Sequence, residues 1–116
     1  MIVEDDEDIA KNLATLLTDE GYRVAVAQNG KVALDRLESA DKQPSLILLD
    51  LMMPVMDGFG FRLAQQVHPK LKDIPVVVMT ADGHVEEKRA RVGAAAFLKK
   101  PVDIDEFLEV VARYVG

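Results

Sequence analysis

The sequence has no cysteine and no apolar run long enough to cross a membrane. The absence of cysteine excludes disulfide bonds, thiolate metal sites and cysteine nucleophiles. A membrane-spanning helix needs about 18 consecutive apolar residues, and the amino terminus also lacks the basic-then-apolar layout of a secretory signal. We therefore expect a cytoplasmic protein that has no membrane partner.

Basic residues are too few to balance the acidic ones. The 116 residues include 14 Lys and Arg against 20 Asp and Glu, which gives a net charge of −6. Phosphate backbones are bound by basic surfaces, so we expect no direct nucleic-acid partner, although a local basic patch stays open. With 49% apolar and 29% charged residues, the chain has the composition of one globular domain over residues 1–116.

Short apolar runs alternate with stretches of helical spacing along the chain. The apolar runs predict strands at residues 1–3, 24–27, 46–50, 76–80 and 94–98. The spacing predicts a first helix whose first turn contains the acids before Ile9 and which ends near Gly21, and further helices at about 30–40, 57–67, 84–92 and 103–115. Asp103 and Glu106 have the spacing of a capping box at the start of the last helix. This alternation predicts an α/β fold of five βα units, a doubly wound parallel sheet with helices on both faces.

Polar residues follow four of the predicted strands. Asp5 and Asp6 come after the first, Asp50 ends the third, Thr80 ends the fourth and Lys100 follows the fifth. Parallel strands bring their carboxyl ends to one edge, which is where open α/β sheets place their ligands. Three crowded carboxylates repel one another by about 4 kcal/mol per pair at 4 Å and an effective dielectric of 20. Lys100 and a hard cation such as Mg²⁺ would offset that repulsion, and the same pocket suits a transferring phosphoryl group.

Each of these residues also has an ordinary structural explanation. Asp50 could begin a turn, and the acids at positions 5 and 6 could cap the first helix. Thr80 is a good strand residue, and a lone Lys100 would be a solvated surface lysine. Only the convergence of all of them at one edge favours a functional site.

Four motifs in the chain resemble those of one family. They are Glu4-Asp5-Asp6, the loop from Asp50 to Gly58, Thr80-Ala81 and Lys100-Pro101. Together, in this order and at this spacing, they resemble the CheY-like receiver domains of two-component response regulators, over essentially the whole chain. The resemblance implies the flavodoxin-like strand order 2-1-3-4-5.

The resemblance also implies a role for individual residues. Asp50 matches the residue that accepts a phosphoryl group from the phosphohistidine of a sensor histidine kinase or phosphotransfer protein. Lys100 matches the lysine that pairs with the phosphoryl oxygens, Thr80 the hydroxyl that moves toward them, and Phe97 the aromatic switch residue. Such a protein catalyses its own phosphorylation and dephosphorylation and is not a classical enzyme.

A magnesium site is implied by the same resemblance. Asp5, Asp6 and Asp50 match its carboxylate ligands, and the backbone carbonyl of Met52 matches a further protein ligand. The cofactor expected from the resemblance is therefore Mg²⁺, held beside the phospho-acceptor.

The expected output surface consists of the fourth helix, the fifth strand and the fifth helix. The resemblance implies that phosphorylation changes this surface and so controls an output domain or a downstream protein. The segment from Gly93 to Phe97 carries alanines where many family members carry acids, so we expect a monomer or a weak dimer. The first strand is short, and whether the chain is a free-standing regulator, a domain of a longer one or part of a hybrid kinase stays open.

Three other classes of function remain as alternatives. A pure interaction module would keep the fold without accepting phosphate, which the set of Asp6, Asp50, Thr80 and Lys100 disfavours. An aspartyl-phosphate hydrolase would carry a second acid two residues after the nucleophile, where this chain has Met52. A flavin-binding protein would need a glycine- or hydroxyl-rich phosphate loop after the first strand, which the sequence lacks.

Overall fold

Five short parallel strands form the centre of the molecule. The computed structural model describes residues 1–50, 58–80 and 93–115. The strands are β1 (Ile2–Val3), β2 (Val26–Ala27), β3 (Ile47–Asp50), β4 (Val76–Thr80) and β5 (Ala96–Lys99). They are paired in the order β2-β1-β3-β4-β5, with every neighbouring pair parallel. The predicted doubly wound α/β fold and its strand order are therefore confirmed.

Four helices lie in the described part of the chain. They are α1 (Glu7–Asp19), α2 (Gly30–Ser39), α3 (Gly58–Gln66) and the C-terminal helix (Ile104–Val115). The helix predicted at about 84–92 falls outside the described residues. Within them, no helix combines the length and the hydropathy that a membrane crossing would require.

The helices cover both faces of the sheet. On one face, Ala33 and Leu37 of α2 and Phe61 of α3 pack with Val3 and Leu49 of the strands. On the other face, Leu13 and Leu17 of α1 and Phe107 of the C-terminal helix pack with Ile2 and Leu48. Adjacent strand residues thus enter opposite layers, as the alternation of side chains along a strand requires. The sheet is buried on both sides, which explains its unbroken apolar runs.

Side chains at the ends of the helices explain where they begin and end. Asn29 caps α2, with its side chain accepting a hydrogen bond from the Val32 N–H at 3.0 Å. Asp103 caps the C-terminal helix in the same way, because its Oδ1 accepts from the Glu106 N–H at 2.9 Å. After α1, Gly21 adopts φ of 91°, a conformation that residues with a Cβ rarely adopt.

The strand register sets the edge at which the polar residues meet. Asp50, the last residue of β3, pairs with Met79, and Thr80 of β4 pairs with Lys99 of β5. All five strands point the same way, so Asp50, Thr80 and Lys100 lie at the carboxyl edge of three adjacent strands. The sheet therefore brings together residues that are up to 50 positions apart in the chain.

Candidate functional site

Asp50 is a buried carboxylate at the end of the central apolar strand. The three residues before it, Ile47 to Leu49, are buried on both faces, and Asp50 itself is only 6% exposed. An ionised carboxylate in such a place needs a nearby positive charge or hydrogen-bond donors. The chemistry open to the Asp50 carboxylate therefore depends on its neighbours at the sheet edge.

Lys100 supplies the positive charge. Its Nζ lies 2.6 Å from Oε1 of Glu4 and 3.5 Å from Oδ2 of Asp50. Its backbone N–H donates to the Thr80 carbonyl at 2.9 Å, and the peptide bond to Pro101 is cis. Burial acts to lower the pKa of Lys100, but the hydrogen bond to Glu4 and the negative charges of Asp50 and Glu4 outweigh burial and raise it. The ammonium group is therefore held in its charged form between two carboxyl groups.

Glu4 is the most deeply buried acid of the site. It follows β1 directly and is 1% exposed. Burial, followed by the adjoining Asp50 carboxyl group, raises its pKa to about 8, although Lys100 acts in the opposite direction. Its Oε2 is buried and has no hydrogen-bond partner among the described residues. Such an atom normally has a donor or a cation beside it.

Three carboxyl groups converge at this edge. One oxygen each from Glu4, Asp5 and Asp50 lies within 4.8 Å of the others. Glu4 and Asp50 are buried whereas Asp5 is exposed, so Asp5 marks the side of the cluster that faces solvent. Hard carboxylate oxygens with an open side suit Mg²⁺, which keeps part of its water shell.

Asp6 lies apart from this cluster. It is the N-cap of α1, and its Oδ1 accepts hydrogen bonds from the backbone N–H groups of Asp8 at 3.0 Å and Ile9 at 3.1 Å. The sequence predicts Asp5 and Asp6 as the acidic pair, whereas the structure gathers Glu4 and Asp5 beside Asp50. The difference is one residue: β1 ends at Val3, as predicted, and Glu4, the first residue beyond it, belongs to the cluster.

Thr80, Phe97 and Met52 are the remaining site residues that the sequence predicts. Thr80 is 1% exposed at the end of β4, joined to Lys100 through the backbone hydrogen bond described above. Phe97 lies in β5 opposite Val78, is half-buried and packs against the core layer of α2 and α3. Met52 lies outside the described residues.

The donor set fits a hard divalent cation. Among the described residues, three carboxyl groups face one ammonium, so their negative charge exceeds what Lys100 can neutralise when all three are ionised. The unpartnered Oε2 of Glu4 provides an oxygen lone pair for a further positive charge. A buried carboxylate can also act as a nucleophile, and the ammonium beside it would stabilise the negative oxygens of the product.

Comparison with known proteins agrees on one family. Residues 1–112 match the family described as "Response regulator receiver domain". The chain is 36% identical over 110 residues to the response regulator MprA of Mycolicibacterium vanbaalenii. That match covers 93% of this chain and 46% of MprA, so the chain spans less than half the length of this relative.

Two solved structures extend the comparison to three dimensions. The chemotaxis response regulator CheY4 of Vibrio cholerae matches with a TM-score of 0.86 and 31% identity, over 97% of this chain and 94% of that chain. The receiver domain of the sensor histidine kinase PA1611 from Pseudomonas aeruginosa matches with a TM-score of 0.88 and 25% identity, over 99% and 94% of the two chains. The PA1611 structure contains a magnesium ion coordinated in its active site cleft.

Proposed function

Because the chain belongs to the response regulator receiver family, we propose that Asp50 accepts a phosphoryl group from the phosphohistidine of a sensor kinase or phosphotransfer protein. Receiver domains are signalling switches of two-component systems rather than classical enzymes. The observation that carries the proposal is the placement of Asp50 at the carboxyl edge, 3.5 Å from Lys100 and within a cluster of three carboxyl groups.

The transfer is a displacement at phosphorus. A carboxylate oxygen of Asp50 forms the new P–O bond while the P–N bond to the donor imidazole breaks, and the electron pair of that bond returns to the imidazole nitrogen. Lys100 is close enough to pair with the phosphoryl oxygens as they approach, exchanging its contact with Glu4 for them. The aspartyl phosphate is later hydrolysed by water at the phosphorus, which restores the carboxylate.

We assign Glu4, Asp5 and Asp50 as the carboxylates that would hold Mg²⁺. The bound ion would neutralise the carboxylates and the phosphoryl oxygens. The magnesium ion in the PA1611 receiver domain supports this assignment. Asp6 and the Met52 carbonyl remain predictions from the sequence, and the Asp6 carboxylate already accepts two hydrogen bonds at the start of α1.

The phosphoryl group would alter the surface that includes β5 and the C-terminal helix. The hydroxyl of Thr80 would bond to the new oxygens, and Phe97 would turn inward as Thr80 moves. The predicted fourth helix would belong to the same surface. The relative MprA is more than twice as long as the matched region, so we propose that this surface controls an output domain or a downstream protein in the cytoplasm.

Acetyl phosphate and intact-mass measurement test the phospho-acceptor. Incubated with Mg²⁺, the wild-type protein should gain the mass of one phosphoryl group, and Asp50→Asn should gain none. Asp41→Asn is the matched control, because Asp41 is an exposed acid outside the cluster, and it should gain mass like the wild type. Absence of any gain in the wild type would favour a pure interaction module, and turnover of p-nitrophenyl phosphate would favour a hydrolase.

A further inference from the structure

A buried arginine and a buried glutamine lie side by side on the inner face of α3. Arg62 is 8% exposed and Gln65 is fully buried. Arg62 Nη1 donates to Gln65 Oε1 at 2.6 Å. Burying a charge and an amide costs free energy unless their polar atoms are paired, and apolar side chains would fill this face of the helix without that cost. The described acceptors of their other N–H groups therefore indicate which segments the pair holds in place.

Those acceptors lie just before two adjacent strands. Gln65 Nε2 donates to the carbonyls of Leu71 at 2.8 Å and Ile74 at 3.0 Å, and Ile74 lies two residues before β4. Arg62 Nη2 donates to the carbonyl of Gly93 at 3.2 Å, three residues before β5. One pair of side chains thus connects α3 to the segments that lead into both strands.

The opposite ends of the same strands carry Thr80 and Lys100. Between the two ends, β4 and β5 are paired from Val77 with Ala96 to Thr80 with Lys99. A shift of β5 against β4 at its start would therefore displace Lys100 relative to Thr80. We propose that Arg62 and Gln65 are positioning residues that hold β4 and β5 in the mutual placement that brings Thr80 and Lys100 to Asp50.

The expected effect on phosphoryl transfer rests on the proposed function. The role of Arg62 and Gln65 in holding β4 and β5 together can be tested independently of that function. The Ala95 N–H donates to the Val76 carbonyl at 2.9 Å, so its hydrogen exchange reports opening between the starts of β4 and β5. In Arg62→Met/Gln65→Leu, apolar side chains replace both partners, so neither the guanidinium nor the amide is left buried without the other. The carbonyls of Leu71, Ile74 and Gly93 lose these donors, and Ala95 exchange should rise by about tenfold or more beyond any change in the global free energy of unfolding.

The effect on phosphoryl transfer is measured with acetyl phosphate and Mg²⁺. The initial rate of mass gain in the double variant should fall by about tenfold, because displaced catalytic groups lose rate steeply with distance. Arg23→Met is the matched control, since Arg23 is exposed, and both readouts should stay at wild-type values. A merely structural role would lower the denaturation midpoint and leave the rate per folded molecule unchanged.

The outcomes separate the two proposals. A folded double variant with wild-type Ala95 exchange and a wild-type rate would overturn the positioning role, while an unreactive wild-type protein would overturn the proposed function. If the double variant fails to fold, Arg62→Lys keeps the charge but loses the fork that reaches both Gln65 and Gly93. Its Ala95 exchange should then exceed that of the wild type, and equal exchange would contradict the inference.

Discussion

Replacing the buried Glu4 by glutamine should stabilise the metal-free protein at neutral pH and at the same time weaken magnesium binding. Glu4 is 1% exposed, and its pKa is raised from 4.5 to about 8, first by burial and then by the Asp50 carboxyl group. Glu4→Gln keeps the shape and the hydrogen-bonding capacity of the protonated side chain and cannot ionise. It therefore removes the charge that burial disfavours.

The size of the effect follows from the two pKa values. A raised pKa in the folded state means that folding favours the protonated form, so this stabilisation is fully present below pH 4.5 and is lost as pH rises through about 8. Between pH 5 and pH 8 the loss in free energy of unfolding is about 3 kcal/mol. The pKa of Lys100 is raised above its ordinary value, so its charge does not change within this window.

Denaturant unfolding in EDTA measures this loss. The free energy of unfolding of the wild type should fall relative to Glu4→Gln as the buffer changes from pH 5 to pH 8, and the difference between the proteins cancels the titration of other groups. Glu38→Gln is the control because Glu38 is exposed on α2, and its curve should run parallel to that of the wild type. Parallel curves for wild type and Glu4→Gln would refute the argument, because they would mean that folding does not change the protonation of Glu4.

Four further results are expected. Magnesium should raise the melting temperature of the wild type more at pH 8 than at pH 6, measured by calorimetry, and much less in Glu4→Gln, because the ion needs the ionised carboxylate. Leu49→Ala should lower the free energy of unfolding by about 2 to 5 kcal/mol, since Leu49 is fully buried next to Asp50. Asn29→Ala should cost about 1 kcal/mol by removing the cap of α2, as denaturant unfolding would report. Sedimentation velocity with acetyl phosphate should find a monomer or a weak dimer, and a phosphorylation-dependent dimer of micromolar affinity would contradict the reasoning from the alanines at 94–96.

The fold was predictable because local and long-range patterns agree. The strand predicted at Val76 to Thr80 is found with those bounds. A short, continuous apolar run that follows a proline and ends in a polar residue is typical of a buried strand. The starts of β2 and β5 differ from the predicted ones. Val24 and Ala95 belong to the predicted strands, yet regular pairing begins at Val26 and Ala96, and strand ends depend on the neighbouring chain rather than on the residues themselves.

The pair on α3 could not be assigned from periodicity alone. Arg62 and Gln65 interrupt the apolar spacing of that helix, and a sequence pattern places such residues on the solvent side. In the structure both are buried, because the carbonyls of Leu71, Ile74 and Gly93 converge on the inner face and accept their hydrogen bonds. The Gly93 carbonyl lies 31 residues after Arg62, and no local pattern around α3 indicates that the two will meet.

The choice between Asp6 and the acids before it differs from the case of Arg62 and Gln65, because the local sequence does contain a signal. Five consecutive acids, Glu4 to Asp8, follow β1, and a difference of one residue decides which side chain points into the site. Asp6 stands directly before a helix whose first turn contains Glu7 and Asp8, which is the usual setting of an N-cap. A carboxylate that accepts two helix N–H groups has less capacity left for a metal ion, so the acids before it should serve the site. On this reasoning Glu4 and Asp5 are the better candidates, and Glu4→Gln should weaken magnesium binding more than Asp6→Asn, a substitution that keeps the capping oxygen.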